Sequence, residues 1–123
     1  MYGNAAAKAY QRVDLESAPK TQIVERLFDR FARDLDDARA AIARKDIQAK
    51  SRALSHANQI VLQLRMALDH AAAPAMCANL EGLYNYVALR LTESNIKLTT
   101  KPLDQAATVM TGLGEAFKQA HRR

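Results

Sequence analysis

Ile47, Leu54, Val61 and Leu68 recur at intervals of seven, with Ala57 and Leu64 between them. This repeat restricts the fold more than any other feature of the chain. It is the buried seam of one helix in a bundle; a strand would instead alternate its facing residues by two. Three prolines mark off further segments of the same kind. After Pro19 the apolar positions run Ile23, Val24, Leu27, Phe28, Phe31, Leu35, Ala38 and Ile42. After Pro74 they run Met76, Leu80, Leu83, Tyr84, Val87 and Leu91, and after Pro102 they run Leu103, Ala106, Met110, Leu113, Phe117 and Ala120. A proline is tolerated in the first turn of a helix, where its missing N–H has no partner to lose.

The helices are expected over about 19–45, 46–69, 75–98 and 102–120. Asp46 is placed to cap the second, and Arg44-Lys45 to close the first against its dipole. Short links between four helices predict an all-α, antiparallel up-down four-helix bundle. Residues 1–18 stand apart as an N-terminal arm or short extra helix carrying Tyr2, Tyr10, Val13 and Leu15; residues 19–123 form the single bundle domain. Composition agrees, since 24 of the 60 apolar residues are Ala, the best helix former. Gly112 and Gly114 each weaken the last helix by roughly 1 kcal/mol relative to Ala.

Several functions are expected to be absent. No apolar run approaches the ~18 residues that cross a bilayer, and Met1-Tyr2-Gly3-Asn4 does not begin a secretory signal. With Cys77 alone there is no internal disulfide and no Cys-rich zinc site. A soluble cytoplasmic protein is expected. A di-iron bundle needs Glu-x-x-His, but Pro19, Phe28, Tyr84, Ile96 and Lys118 follow the five glutamates at that spacing. His56, His70 and His121 lack metal-ligand spacing. Cys77 opens a helix, where a thiol pKa can fall, yet reads better as a small core residue. No metal, cofactor or catalytic residue is expected.

Two alternative functions stay open. His56 stands mid-helix, as in a histidine phosphotransfer bundle, but is followed by Ala57-Asn58-Gln59 rather than a Lys-Gly pair. The net charge of +5 gathers at Arg44, Lys45, Lys50 and Arg52 and in the tail at Lys118, His121, Arg122 and Arg123. That 44–52 stretch could serve a regulatory or nucleic-acid-binding adaptor, although solvated helix faces explain it more simply.

The helical wheel finds more apolar residues than four inward stripes need. At ~100° per residue, Leu54, Ala57, Leu64 and Leu68 cluster within about 60° of Val61, whereas Ile60 and Leu62 lie about 100° to either side and Met66 about 140° away. Opposite the main stripe of the third helix lie Ala78, Gly82, Leu89 and Ile96, with Tyr86 at the border. Such a face is covered by the arm, by asymmetric packing or by a second copy of the chain, or it is a groove for another protein's amphipathic helix. An arm carrying Tyr10 could cover the groove until a partner displaces it. Leu64 and Tyr84 could also be partly exposed.

These pieces resemble a known family, the flagellar secretion chaperones (FliS). The match runs from about residue 5 to about 117. It comprises Ala9-Tyr10-Gln11, Ser17-Ala18-Pro19, Ile23-Val24 with Leu27-Phe28-Asp29, Ala41-Ile42 and Asp46, Ile60 with Leu64 and Leu68-Asp69, Asn79-Leu80 with Leu83-Tyr84 and Tyr86, and Leu91 with Asn95. The chain departs from the pattern in the link His70-Ala71-Ala72-Ala73-Pro74, which lacks glycine, and in Phe117, where a Trp is frequent. The resemblance implies binding rather than catalysis. The implied client is the disordered C-terminal segment of flagellin, held in the bacterial cytoplasm for type III export; flagellar export-apparatus components are further implied partners. Tyr10 matches the family's N-terminal Tyr-Gln element, and the partner-binding set expected is Tyr10, Ile60, Leu62, Met66, Tyr86, Leu89 and Ile96. Membrane insertion and nucleic acid are not implied, and a homodimer is compatible.

Overall fold

The computed structural model describes residues 8–10 and 18–120. The expectations for Tyr2, Val13 and Leu15 and for the tail from His121 lie outside those residues. Four helices follow in order: α1 (Ala18–Ala43), α2 (Ile47–Met66), α3 (Pro74–Lys97) and α4 (Lys101–Ala120). They form a closed ring in which α1 packs on α2, α2 on α3, α3 on α4 and α4 on α1. Cross-helix pairs fix the antiparallel sense. Lys118 meets Asp29 and Arg39 meets Asp104 between α4 and α1, while Arg65 meets Glu81 and Lys50 meets the Asn95 carbonyl between α2 and α3. No helix among the described residues is long and apolar enough to cross a membrane.

The helix ends follow from local chemistry. After α1 the Lys45 N–H donates to the Ile42 carbonyl at 3.1 Å and the Asp46 N–H to the Ala41 carbonyl at 2.9 Å. That pair of bonds is a Schellman turn, with Lys45 left-handed at φ 60 where glycine is the usual choice. Asp46 then caps α2 as expected, its carboxylate accepting the Ala49 N–H at 3.1 Å. Pro74 starts α3, and Leu98, also left-handed, stops it. The expected boundaries of α2, α3 and α4 therefore fall within a few residues of those observed.

The core runs down the ring axis. Phe28, Phe31 and Leu35 of α1 meet Leu54, Val61 and Leu64 of α2, Leu80, Tyr84 and Val87 of α3, and Leu103, Met110 and Phe117 of α4, all buried. Cys77 is buried with them, as expected for a core residue. Gly114 has a use the sequence did not reveal. A Cβ there would sit 3.1 Å from the Phe28 Cβ, so the missing side chain lets α4 close on α1. Gly112 is open to solvent, and a Cβ would meet nothing within 4 Å.

Two residues counted in the inward stripes belong elsewhere. Ile23 and Ile47 are both about half exposed. Each lies in the first turns of its helix, where a neighbour no longer covers that flank, so the stripe outruns the bundle. Lys50 is also misread as part of an exposed basic stretch. It is buried, and its Nζ donates to the Asn95 carbonyl at 3.0 Å in the last turn of α3, where a cation offsets the helix dipole.

Candidate partner-binding face

Leu62 and Met66 of α2 and Tyr86, Leu89 and Ile96 of α3 are all between 40% and 75% exposed. These are five of the seven residues nominated from the sequence. Leu62, Met66, Leu89 and Ile96 share one side of the molecule, and Tyr86 stands at its α3–α4 border. Ser55 and Asn58 of α2 line a cleft with Leu91, Thr92 and Asn95 of α3. Leu62 follows Asn58 by four and Ser55 by seven, so it continues that flank of α2 toward α3. Leu89 and Ile96 lie within about 60° of Thr92 at ~100° per residue, on the outward side of the same cleft.

The antiparallel pairing sets the heights along this face. Ile47 and Ile96 stand at one end, and Leu62 and Tyr86 stand near the other. From Ile47 to Met66 the strip covers about 28 Å at 1.5 Å per residue, some five helical turns. Ile47 and the half-exposed Leu98 extend it beyond the residues expected from the sequence. Gly82 lies on the same outer face of α3, and a Cβ there would meet nothing within 4 Å, leaving room for a close-packed partner. At the α3–α4 border the Arg90 guanidinium sits 5.6 Å over the Tyr86 ring while pairing with Glu93 at 2.6 Å, which holds Tyr86 in place. At the loop end, His70 and Arg65 flank Glu81; the His70 hydrogen bond, with Arg65 adding to it, holds the Glu81 carboxyl below the usual carboxylate range.

Ile60 requires a correction. It is 2% exposed and belongs to the core. The wheel places it as far from Val61 as Leu62 but on the other flank. It follows Ala53 by seven and His56 by four, and both of those line the α1 side of α2. Helix α1 covers that flank, while nothing among the described residues covers Leu62. Leu64 and Tyr84, named as candidates for partial exposure, are fully buried.

Tyr10 is also off the face. It is 1% exposed, its hydroxyl hydrogen-bonds the Tyr84 hydroxyl, and its ring meets Phe117 edge-on at 6.0 Å. The Asp69 N–H, in the link before α3, donates to the Ala9 carbonyl at 2.6 Å and fixes the segment there. Burial pushes both phenols far above the ordinary tyrosine range, so they are neutral hydrogen-bonding groups throughout the physiological range. His56 has its Nδ1 2.6 Å from the buried Asp34 carboxylate.

The geometry can therefore hold an extended apolar partner. The family model described as "Flagellar protein FliS" matches residues 2–123. "Flagellar secretion chaperone FliS" of Salmonella typhimurium is 32% identical, over 97% of this chain and 92% of its own length. "Flagellar secretion chaperone FliSB" of Pseudomonas aeruginosa is 32% identical, over 89% of this chain and 90% of its own. "Flagellar secretion chaperone FliS" of Bacillus subtilis is 27% identical, over 91% of this chain and 83% of its own.

Proposed function

The chain belongs to the FliS family of flagellar proteins, and from that premise we propose that it is a cytoplasmic export chaperone for flagellin. Its outer α2–α3 face receives the disordered C-terminal segment of the client, which becomes helical there. This prevents premature polymerisation and aids delivery to components of the flagellar type III export apparatus. The observation that carries the reading is the set of exposed apolar residues spread over about 28 Å of this face, Ile47, Leu62 and Met66 on α2 with Leu89 and Ile96 on α3, around a cleft lined by Ser55, Asn58, Thr92 and Asn95; that length suits an amphipathic helix of several turns. Terminal segments that assemble through apolar contacts would find each other if left free, and the strip competes for those contacts. Ordering the segment consumes about 2–5 kcal/mol of the gross binding energy. In this reading Tyr10 contributes from within: release of residues 8–10 would add Tyr84 and Phe117 to the surface offered to the client.

Calorimetry with full-length flagellin and with flagellin lacking its C-terminal segment tests the proposal. Full-length flagellin is expected to bind with a large negative heat-capacity change, the mark of buried apolar surface, and the truncated form is expected not to bind. Equal affinity for both forms, or an interaction lost steeply with salt, would remove the client segment from the model.

A further inference from the structure

Charge is divided unevenly across α1. The side facing α4 is neutralised: Asp29 pairs with Lys118 at 2.6 Å, and Arg39 pairs with both Asp36 and Asp104. The other side carries Arg26, Arg30, Arg33 and Arg44, which fall within about 60° of one another at ~100° per residue; Arg30 and Arg44 line the cleft toward α2, and Arg26 and Arg33 continue the stripe outside it. That stripe is about 27 Å long at 1.5 Å per residue. Across the seam α2 adds Arg52 and His56, and the two helices enclose an open cleft of about 440 Å³ with alanines among its lining residues.

Half of these six cations have no acidic partner among the described residues. Arg26, Arg33 and Arg52 have no ion pair among the described residues, and Arg44 has only Asp46 at 3.6 Å. Asp34, the one deeply buried acid among the described residues, is already held by His56 and by Arg30 at 3.3 Å. Asp37 is the only exposed acid lining the cleft.

We propose that this α1–α2 cleft is a docking site for an acidic segment of another protein, which the chain binds separately from its client. The guanidinium fork matches carboxylate oxygens in pairs, and arginines spaced along one seam suit a chain of Asp and Glu side chains. Nucleic acid fits less well. No Phe, Tyr or Trp lines the cleft to stack a base, and the His56 ring is tied to the Asp34 carboxylate. The site lies on the opposite flank of α2 from Leu62, so both faces can be filled at once and a loaded chaperone can still be held by its acidic partner. This rests on the arginine seam alone and stands whether or not flagellin is the client.

Hexaglutamate peptide is the probe, titrated into the full chain and followed by amide chemical shifts. Saturable binding at about 50 mM salt is expected, with shifts at residues 30–56 and none at 86–96. The double variant Arg33→Glu, Arg52→Glu should weaken it about tenfold or more, and Arg33→Gln, Arg52→Gln about threefold or more, with the thermal transition unchanged. Affinity unchanged in both variants, or shifts confined to the C-terminal tail, would overturn the proposal. Tighter binding of a thymidine oligonucleotide of equal charge would assign the seam to nucleic acid instead, and saturation by inorganic phosphate without peptide binding would reduce it to a small-anion site. Adding a flagellin C-terminal peptide first should leave hexaglutamate affinity within about twofold, since the two sites share no side chain.

Discussion

The α1–α4 seam and the outer α2–α3 face are built from similar helices with opposite results. At the first, Gly114 admits Phe28, Phe117 fills the gap, and Lys118 and Arg39 bridge to acids on the facing helix. At the second, large apolar side chains point outward, and Gly82 faces open space. A glycine opposite a neighbour closes a seam. A glycine with nothing opposite, as at Gly82, leaves open surface. Substitutions at the closed seam should therefore register in stability, and those at the open face in binding.

The largest effect is expected from Phe117→Ala, which removes contacts with Phe28 and Tyr10 and should lower unfolding free energy by about 3–5 kcal/mol in urea denaturation. A loss below about 1 kcal/mol would mean that the seam is not tightly packed. Next, Leu89→Asp should weaken a flagellin C-terminal peptide by about tenfold or more in calorimetry while stability changes by less than about 0.5 kcal/mol. Unchanged affinity would exclude that part of α3 from the client face.

The glycines sharpen the contrast further. Gly114→Ala should destabilise by about 1–2 kcal/mol, because the Phe28 side chain must move and overpacking outweighs the gain in helix propensity. Gly112→Ala and Gly82→Ala should each stabilise the free chain by about 0.5–1 kcal/mol, yet only Gly82→Ala should also weaken client binding. Equal binding by the two variants would mean that the client does not approach α3 closely. The smallest effect belongs to Lys118→Ala; its ion pair with the half-exposed Asp29 is worth less than about 1 kcal/mol and should fade with added salt in thermal melts.

The elements themselves were legible. Three-and-four spacing, the prolines and Asp46 located all four helices, because each is a property of one helix. Five surface residues, Leu62, Met66, Tyr86, Leu89 and Ile96, were legible for the same reason: they lie far from their own stripe. Ile60 was not legible, because a wheel treats the two flanks of a helix alike, and only tertiary packing decides that α1 covers Ile60 while Leu62 stays open. Ile23 and Ile47 show a second limit, since a periodic stripe does not reveal where the neighbouring helix stops. Lys50 and Gly114 owe their roles to single atoms on other helices, Asn95 O and Phe28 Cβ, which no spacing along the chain encodes.

The hydroxyl bond between Tyr10 and Tyr84 also provides an optical gauge. The chain has no tryptophan, so its near-ultraviolet circular dichroism comes mainly from tyrosines. The two phenol rings locked against each other and held near Phe117 stand in a fixed chiral setting. Undocking of residues 8–10 would release one ring and expose the other, dimming that band while the far-ultraviolet helix signal stays constant. Whether the front segment is seated or free can thus be followed without a label.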